Sequence, residues 1–151
     1  MSYTKKQRAR GIIFYDNKII SMYRELDNRI FYTFPGGGME EGESETECVV
    51  REIFEEFGLV VKPLKKVYVY ENEKSIEYFY ICDWIEGKFG TGNGEEFEPQ
   101  NNNGVYKPML INILDIPSLP LMPPEIAKAF FEDYNQNGKI LRSNVKVINK
   151  E

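Results

Sequence analysis

The chain has 151 residues, a formal net charge of −5, two cysteines and no histidine, and 42% of its residues are hydrophobic. This length and hydrophobic content predict one globular domain over residues 1–151, with a core of its own. The absence of histidine excludes Ser-His-Asp and Cys-His catalysis and every metal site that needs imidazole, and the acidic balance argues against a DNA-binding surface.

Targeting and membrane signals are weak in this sequence. No segment reaches the about 18 consecutive apolar residues that a membrane span requires. The apolar stretch behind the basic N-terminal residues stops at Asp16, which makes it too short for the apolar region of a signal peptide. Cys48 and Cys82 form no Cys-x-x-Cys motif and are expected to be reduced thiols. These features predict a cytoplasmic protein that does not enter a membrane.

The first third of the chain begins with strand patterns. Alternating apolar residues predict three strands, at residues 10–15, 18–24 and 30–34. Three consecutive glycines follow the third strand: Gly36, Gly37 and Gly38. They predict a backbone turn that side chains would obstruct, or one that approaches a ligand closely.

A helix is predicted over Glu45–Phe57. Ser44 and Glu47 have the spacing of a capping box, good helix formers continue to Phe57, and Gly58 is the residue preferred just past a helix end. Apolar residues recur at intervals of three and four, which predicts that one face is buried. These residues are Val49, Val50, Ile53, Phe54 and Phe57.

The remaining patterns predict more strands and a second helix. Strands are expected at residues 64–70, 77–83, 106–113 and 145–148, and a helix from Pro123 and Pro124 to residue 137. Residues 86–104 hold five glycines and four asparagines, which predicts a long loop that is either functional or disordered. The order of elements predicts an α/β fold with a mixed β-sheet between helices.

The predicted helix carries a row of carboxylates. Glu52, Glu55 and Glu56 fall within about 100° of arc, so they project to one side, where like charges repel. Oxygen-only ligands suit Mg²⁺ or Mn²⁺, and Arg51 has the spacing to pair with Glu55. The alternative is a solvated acidic face with an ordinary ion pair between residues four apart.

The segment 37–59 resembles the signature box of the Nudix hydrolases. That box is a Gly, a Glu, an Arg-Glu pair, an apolar residue, a Glu-Glu pair, a Gly and a final apolar residue at fixed spacing. The matching residues are Gly37, Glu43, Arg51, Glu52, Ile53, Glu55, Glu56, Gly58 and Leu59. The resemblance implies an α/β/α sandwich and Mg²⁺-dependent hydrolysis of a phosphoanhydride bond, with Mn²⁺ as an alternative ion.

The resemblance also implies roles for single residues. Glu52, Glu55 and Glu56 would be metal ligands, and the carbonyl of Gly36 a further one. Arg51 would orient the carboxylates, and Glu43 would brace the loop that Gly37 and Gly38 begin, or a metal-bound water. For each carboxylate, the alternative is an ordinary solvated side chain.

The proton acceptor of such a reaction stays open among several carboxylates. Family members often supply a glutamate from a loop beyond the box, and here the loop 86–104 offers Glu95, Glu96 and Glu98. Glu96 is the preferred residue of these three, and the sequence does not rank it against Glu55 and Glu56 of the helix as the base.

Substrate recognition is less constrained by the sequence. Arg10 and Arg24, near strand ends, are candidates for phosphate binding, with a surface ion pair or core packing as the alternative. Four aromatic residues are candidates for stacking a base, with core packing as the alternative that the sequence favours: Tyr32, Phe34, Phe79 and Tyr80. The family's ADP-ribose hydrolases carry a proline about 16 residues past the box, where this chain has Ser75.

The signatures of the dinucleoside-polyphosphate, NADH and coenzyme A subfamilies are absent as well, which leaves nucleoside triphosphates, including oxidised ones, as the expected substrates. Two alternatives remain: removal of pyrophosphate from the 5′ end of RNA, for which the basic C-terminal residues could contact phosphates, and a nucleotide-sensing module without catalysis. The expected partner is a small nucleotide, not DNA, and the protein is expected to be a monomer or a homodimer.

Overall fold

A computed structural model describes residues 5–89 and 104–150. Over these residues the chain forms nine strands and two α-helices: β1 (Lys6–Tyr15), β2 (Lys18–Leu26), β3 (Arg29–Thr33), β4 (Gly36–Gly38), α1 (Glu45–Phe57), β5 (Val60–Glu71), β6 (Ser75–Glu86), β7 (Val105–Asn112), β8 (Leu121–Met122), α2 (Pro124–Asn137) and β9 (Lys146–Asn149). Short 3₁₀ helices occupy Ile113–Ser118 and Gly138–Ile140.

The strands form one mixed sheet. Its main path runs in the order β8-β3-β2-β1-β6-β5-β9, while β4 pairs with β1 and β7 pairs with β2. The β1–β6 and β5–β9 pairs are parallel, whereas β1–β2 and β5–β6 are antiparallel. The short β4 therefore lies along β1, and this pairing carries the glycines into the sheet.

The core lies on both faces of this sheet. Ile12 and Ile13 are neighbours in β1 and pack into opposite clusters, because successive side chains of a strand point to opposite faces. The cluster with Ile13 packs against α1, and the cluster with Ile12 packs against α2. This arrangement confirms the predicted α/β/α sandwich. In the described part of the chain, neither helix is long and apolar enough to cross a bilayer.

Two details of the predicted elements are wrong. The three glycines were expected in a turn, but Gly36–Gly38 forms a strand that pairs antiparallel with β1. Phe54 was expected on the buried face of α1, but 57% of it is exposed. It lies about 100° round the helix from Ile53, which places it beyond the edge of the buried stripe.

Candidate active site

The glycine strand β4 brings backbone close to other groups on both sides. Gly36 has φ +140°, and a Cβ there would collide with the carbonyl oxygen of Ala9 on β1. A Cβ on Gly37 would lie 2.5 Å from Oε2 of Glu52. The pairing of this strand with β1 therefore requires glycine at position 36, and glycine at position 37 leaves room for the Glu52 carboxylate in its present place.

Helix α1 is held in place at both ends. The hydroxyl of Ser44 accepts a hydrogen bond from the amide of Glu47 at 3.1 Å, and the Glu47 carboxylate accepts one from the amide of Ser44 at 2.9 Å. At the other end Gly58, with φ +71°, donates to the carbonyl of Phe54. The capping box and the glycine stop are thus confirmed, and they set where the helix presents its carboxylates.

Arg51 is the centre of the hydrogen-bond network on this helix. It forms a two-bond contact with Glu43, at 2.7 and 2.9 Å, and its Nη2 donates to the carbonyl of Gly38 at 3.0 Å. Its Nη1 donates to Glu52 at 2.9 Å and to Glu55 at 3.0 Å. All five N–H groups of the guanidinium are therefore used, and they tie the glycine strand, the following loop and the helix together.

The charges around Arg51 do not cancel. One guanidinium lies within 4.0 Å of four carboxylates, those of Glu40, Glu43, Glu52 and Glu55, which leaves three negative charges in excess within this cluster. Hydrogen bonds from Arg51 lower the pKa of Glu43 to about 2, so this carboxylate stays ionised. Burial raises the pKa of Glu52, against the opposing effect of Arg51. A cation beside Glu52 would favour the ionised carboxylate and so oppose the rise in its pKa.

Residues 52, 55 and 56 were expected to hold a metal ion with the carbonyl of Gly36. Glu52 and Glu55 meet at one nitrogen of Arg51, whereas Glu56 accepts a hydrogen bond from the amide of Gly36 at 3.2 Å. Within residues 5–89 and 104–150, no three acidic, cysteine or histidine side chains already converge as a metal site. The expected ligand atoms are all oxygens, and they lie beside an excess of negative charge. This set of ligands suits a hard divalent ion.

Cys48 is a neighbour of this network that the sequence did not single out. Its thiol contacts the carbonyl of Gly37 at 3.4 Å, and burial raises its pKa to about 11. Both Cys48 and Cys82 are buried and form no disulfide. The protonated thiol of Cys48 therefore packs the glycine strand against α1.

Arg10 and Arg24 were predicted to bind phosphate. Arg10 pairs with Glu77 at 2.6 Å and donates to the carbonyl of Phe34 at 3.0 Å. Arg24 stacks over the ring of Tyr106, with its Cζ 3.7 Å from the ring centroid. Both contacts match the alternative of ion pairing and packing, and phosphate binding by either arginine stays a prediction.

The predicted base-stacking residues divide into two groups. Phe34 and Phe79 are fully buried and meet edge to face at 5.4 Å, so they pack in the core, as the alternative has it, and do not stack a base. Tyr80 donates a hydrogen bond to Glu45 at 2.6 Å, and Tyr32 packs against Tyr23. These two rings are partly exposed, and their role toward a base stays a prediction.

A pocket of about 250 Å³ lies next to the glycine strand, on the α2 side of the sheet. Arg10, which lines it, reaches the carbonyl of Gly36 at 3.5 Å. Other residues of its lining are Thr33, Tyr70, Glu77, Met122 and Pro123. The sequence did not single these out, although alternation along β6 would have placed Glu77 on the same face as the buried Phe79.

Glu95, Glu96 and Glu98 lie outside the described residues. The choice of Glu96 as proton acceptor therefore stays a prediction. Of the other two candidates, 53% of the Glu55 side chain is exposed, whereas Glu56 contacts the glycine strand.

The fold and the site together define a Nudix-type protein: a mixed sheet between two helices, with box carboxylates on one helix facing a glycine strand. The family profile of the NUDIX domain matches residues 5–102, so the chain belongs to this family. This match confirms the resemblance to the Nudix hydrolases that the signature box in residues 37–59 indicated.

Individual relatives agree with this assignment. A protein named ADP-ribose pyrophosphatase from Methanocaldococcus jannaschii is 38% identical in an alignment 104 residues long, which covers 61% of this chain and 60% of that relative's length. This chain thus spans less than two thirds of that relative. A second relative, from Bacillus subtilis, is 30% identical over 110 residues, and the alignment covers 65% of this chain and 52% of that relative.

Solved structures show the same fold. A NUDIX hydrolase from Nitrosomonas europaea aligns with 99% of this chain and 82% of its own, with a TM-score of 0.73 and 18% identity.

Proposed function

We propose that this protein hydrolyses a phosphoanhydride bond in nucleoside-diphosphate-linked substrates, with Mg²⁺ or Mn²⁺ as cofactor. The observation that carries the proposal is the close approach of Glu52 to Gly37, with Glu55 gathered beside it by Arg51. The carboxylates around Arg51 outnumber its positive charge, which favours the binding of a cation. The glycine strand beside them has no side chains, which leaves room for phosphate oxygens.

The residues that would hold the ion are Glu52, Glu55, Glu56 and the carbonyl of Gly36. When bound, a divalent ion supplies positive charge beside the phosphates and makes nearby water more acidic. Arg51 would keep Glu52 and Glu55 together, while its paired contact with Glu43 fixes the guanidinium. Because Glu43 stays ionised down to about pH 2, this positioning would hold at every physiological pH.

The proton of the attacking water would go to a carboxylate. Glu55 is the most exposed carboxylate of the Arg51 network on the helix, Glu56 lies against the glycine strand, and Glu96 follows β6 in the sequence, outside the described residues. A carboxylate within hydrogen-bond reach of the water can serve as the base without histidine. Substituting each by glutamine and comparing the pH dependence of kcat separates the three.

ADP-ribose is the first candidate substrate, because a relative that is 38% identical carries the name ADP-ribose pyrophosphatase. Nucleoside triphosphates are the second candidate, since Ser75 stands where the ADP-ribose hydrolases of the family carry proline. The pocket beside Arg10 would take the nucleoside in either case, at the end of the glycine strand.

A substrate panel tests these proposals. The purified protein is incubated with Mg²⁺ and ADP-ribose, each nucleoside triphosphate or a 5′-triphosphorylated RNA, and the products are identified by mass. Release of AMP and ribose 5-phosphate supports the first candidate, and release of a nucleoside monophosphate and pyrophosphate supports the second. Turnover of RNA alone would select the RNA alternative. Tight nucleotide binding without turnover of any substrate would select the sensing module and overturn the hydrolase proposal.

A further inference from the structure

A basic groove opens at the end of the sheet where β1 and β6 begin. It has a volume of about 790 Å³, and four cationic side chains line it: Lys6, Arg8, Lys74 and Lys150. Among the described residues that line it, Glu73 is the one that carries a carboxylate. This is a concentration of positive charge on a protein whose net charge is −5.

Backbone hydrogen bonds fix the chain segments that carry these cations. The amide of Lys6 donates to the carbonyl of Lys74 at 3.0 Å, and the amide of Lys150 donates to the carbonyl of Glu71 at 2.9 Å. The side chain of Asn72 accepts from the amide of Lys74 at 2.9 Å, which holds the turn between β5 and β6. The start of β1, the turn between β5 and β6 and the residue after β9 are thus held together, which places their positively charged side chains around one groove.

Within the part of the chain that the structure describes, the cations of the basic groove form no ion pair with a carboxylate, since none of the four has one within 4.0 Å. Nearby, by contrast, Lys5 pairs with Glu71 and Arg10 pairs with Glu77. Clustered like charges repel each other, and an anion in the groove would relieve that repulsion.

The basic groove continues from the candidate active site. Arg8 lies opposite Gly38 in the β1–β4 pair, and the carbonyl of Gly38 accepts a hydrogen bond from Arg51. Asn72 and Lys150 line both the groove and the pocket that contains Arg10. From Arg10 to Lys6 the strand advances four residues, about 13 Å. A ligand in that pocket can therefore extend into the groove.

We propose that the basic groove binds a phosphate group that the substrate carries in addition to its diphosphate, so that the protein prefers nucleotides with a phosphate monoester on the 2′ or 3′ oxygen of the ribose. This inference rests on the proposed function for its substrate. A phosphate monoester carries about −1.5 to −2 charges at neutral pH and accepts charge-assisted hydrogen bonds from lysine and arginine, whereas a ribose hydroxyl is uncharged.

Paired substrates that differ by one phosphate test the preference. We compare kcat/KM for ADP-ribose with kcat/KM for ADP-ribose phosphorylated on the 2′ or 3′ oxygen of its adenosine. The wild type should favour the better of the phosphorylated forms by about tenfold or more, the effect of one charge-assisted contact. The Lys6→Ala/Lys74→Ala variant should bring this ratio close to one. Lys62→Ala, an exposed lysine of β5 outside the groove, should leave the ratio unchanged.

A binding measurement separates this inference from the proposed activity. In EDTA, calorimetry compares AMP with adenosine 2′,5′-bisphosphate and adenosine 3′,5′-bisphosphate. One bisphosphate should bind about tenfold more tightly than AMP, and the difference should shrink as salt rises. If this holds while no phosphoanhydride is hydrolysed, the proposed activity fails and the groove stands as a phosphate site. Equal affinities, or a kcat/KM ratio near one with an active wild type, would overturn the groove proposal.

Discussion

Replacing Gly37 by alanine tests the contact between the glycine strand and the carboxylate helix. A Cβ at this position would lie 2.5 Å from Oε2 and 2.6 Å from Cδ of Glu52, whereas ordinary contacts begin at 3.4 Å. The carboxylate would have to move by roughly 1 Å, and a misplacement of that size can lower a rate by about 100-fold. Since the group that moves is the end of a flexible side chain, we expect the fold to persist.

Gly38→Ala is the matched control for this variant. A Cβ on Gly38 would meet no atom within 4 Å, so this variant should keep activity close to that of the wild type. The assay is kcat at saturating Mg²⁺ on the best substrate of the panel, with thermal unfolding followed by circular dichroism. Equal activity of the two variants, with both folded, would refute the argument that Gly37 makes room for Glu52.

Ser44→Ala should lower the free energy of unfolding in urea by about 1 kcal/mol through loss of the helix cap, and an unchanged value would contradict the capping role. Arg51→Lys should lower kcat or Mg²⁺ affinity by about 10 to 100-fold, because lysine cannot hold its partners with a planar fork; wild-type values for both would contradict this. Millimolar Mg²⁺ should raise the melting temperature of the wild type and raise it less in Glu52→Gln/Glu56→Gln, and an equal rise would remove α1 as the metal site. The wild type should lose stability as pH falls from about 4.5 toward 2, because Glu43 has its pKa lowered to about 2 in the folded state and the unfolded chain takes up the proton first. Chemical unfolding of Glu43→Gln should show a weaker dependence over that range, and an identical dependence would contradict the assignment.

The ends of α1 could be predicted from sequence because their causes are local. Ser44, Glu47 and Gly58 act within one turn of the positions that they cap. The strand Gly36–Gly38 could not be predicted, since it forms only by pairing with β1, which lies far away along the chain. A run of glycines has no side-chain alternation, so it gives no period-2 signal from which a strand could be read.

The same division holds for the candidate site. The Arg51–Glu55 pair follows from helical spacing, and the structure confirms it at 3.0 Å. The paired contact of Arg51 with Glu43 depends on how the loop before the helix folds back, which spacing alone does not determine. The basic groove likewise draws its cations from separate segments, and only the sheet brings these together.

The function proposed for the box carboxylates is metal-dependent cleavage of a phosphoanhydride. It is tested most directly by following product release from pyrophosphate-linked and monophosphate nucleotides in Mg²⁺ and in EDTA, with the wild type and with folded Glu56→Gln. We predict turnover of pyrophosphate-linked substrates in Mg²⁺ only, reduced by orders of magnitude in the variant, while monophosphates stay intact. Full activity in EDTA, or activity confined to monophosphates, would contradict the account.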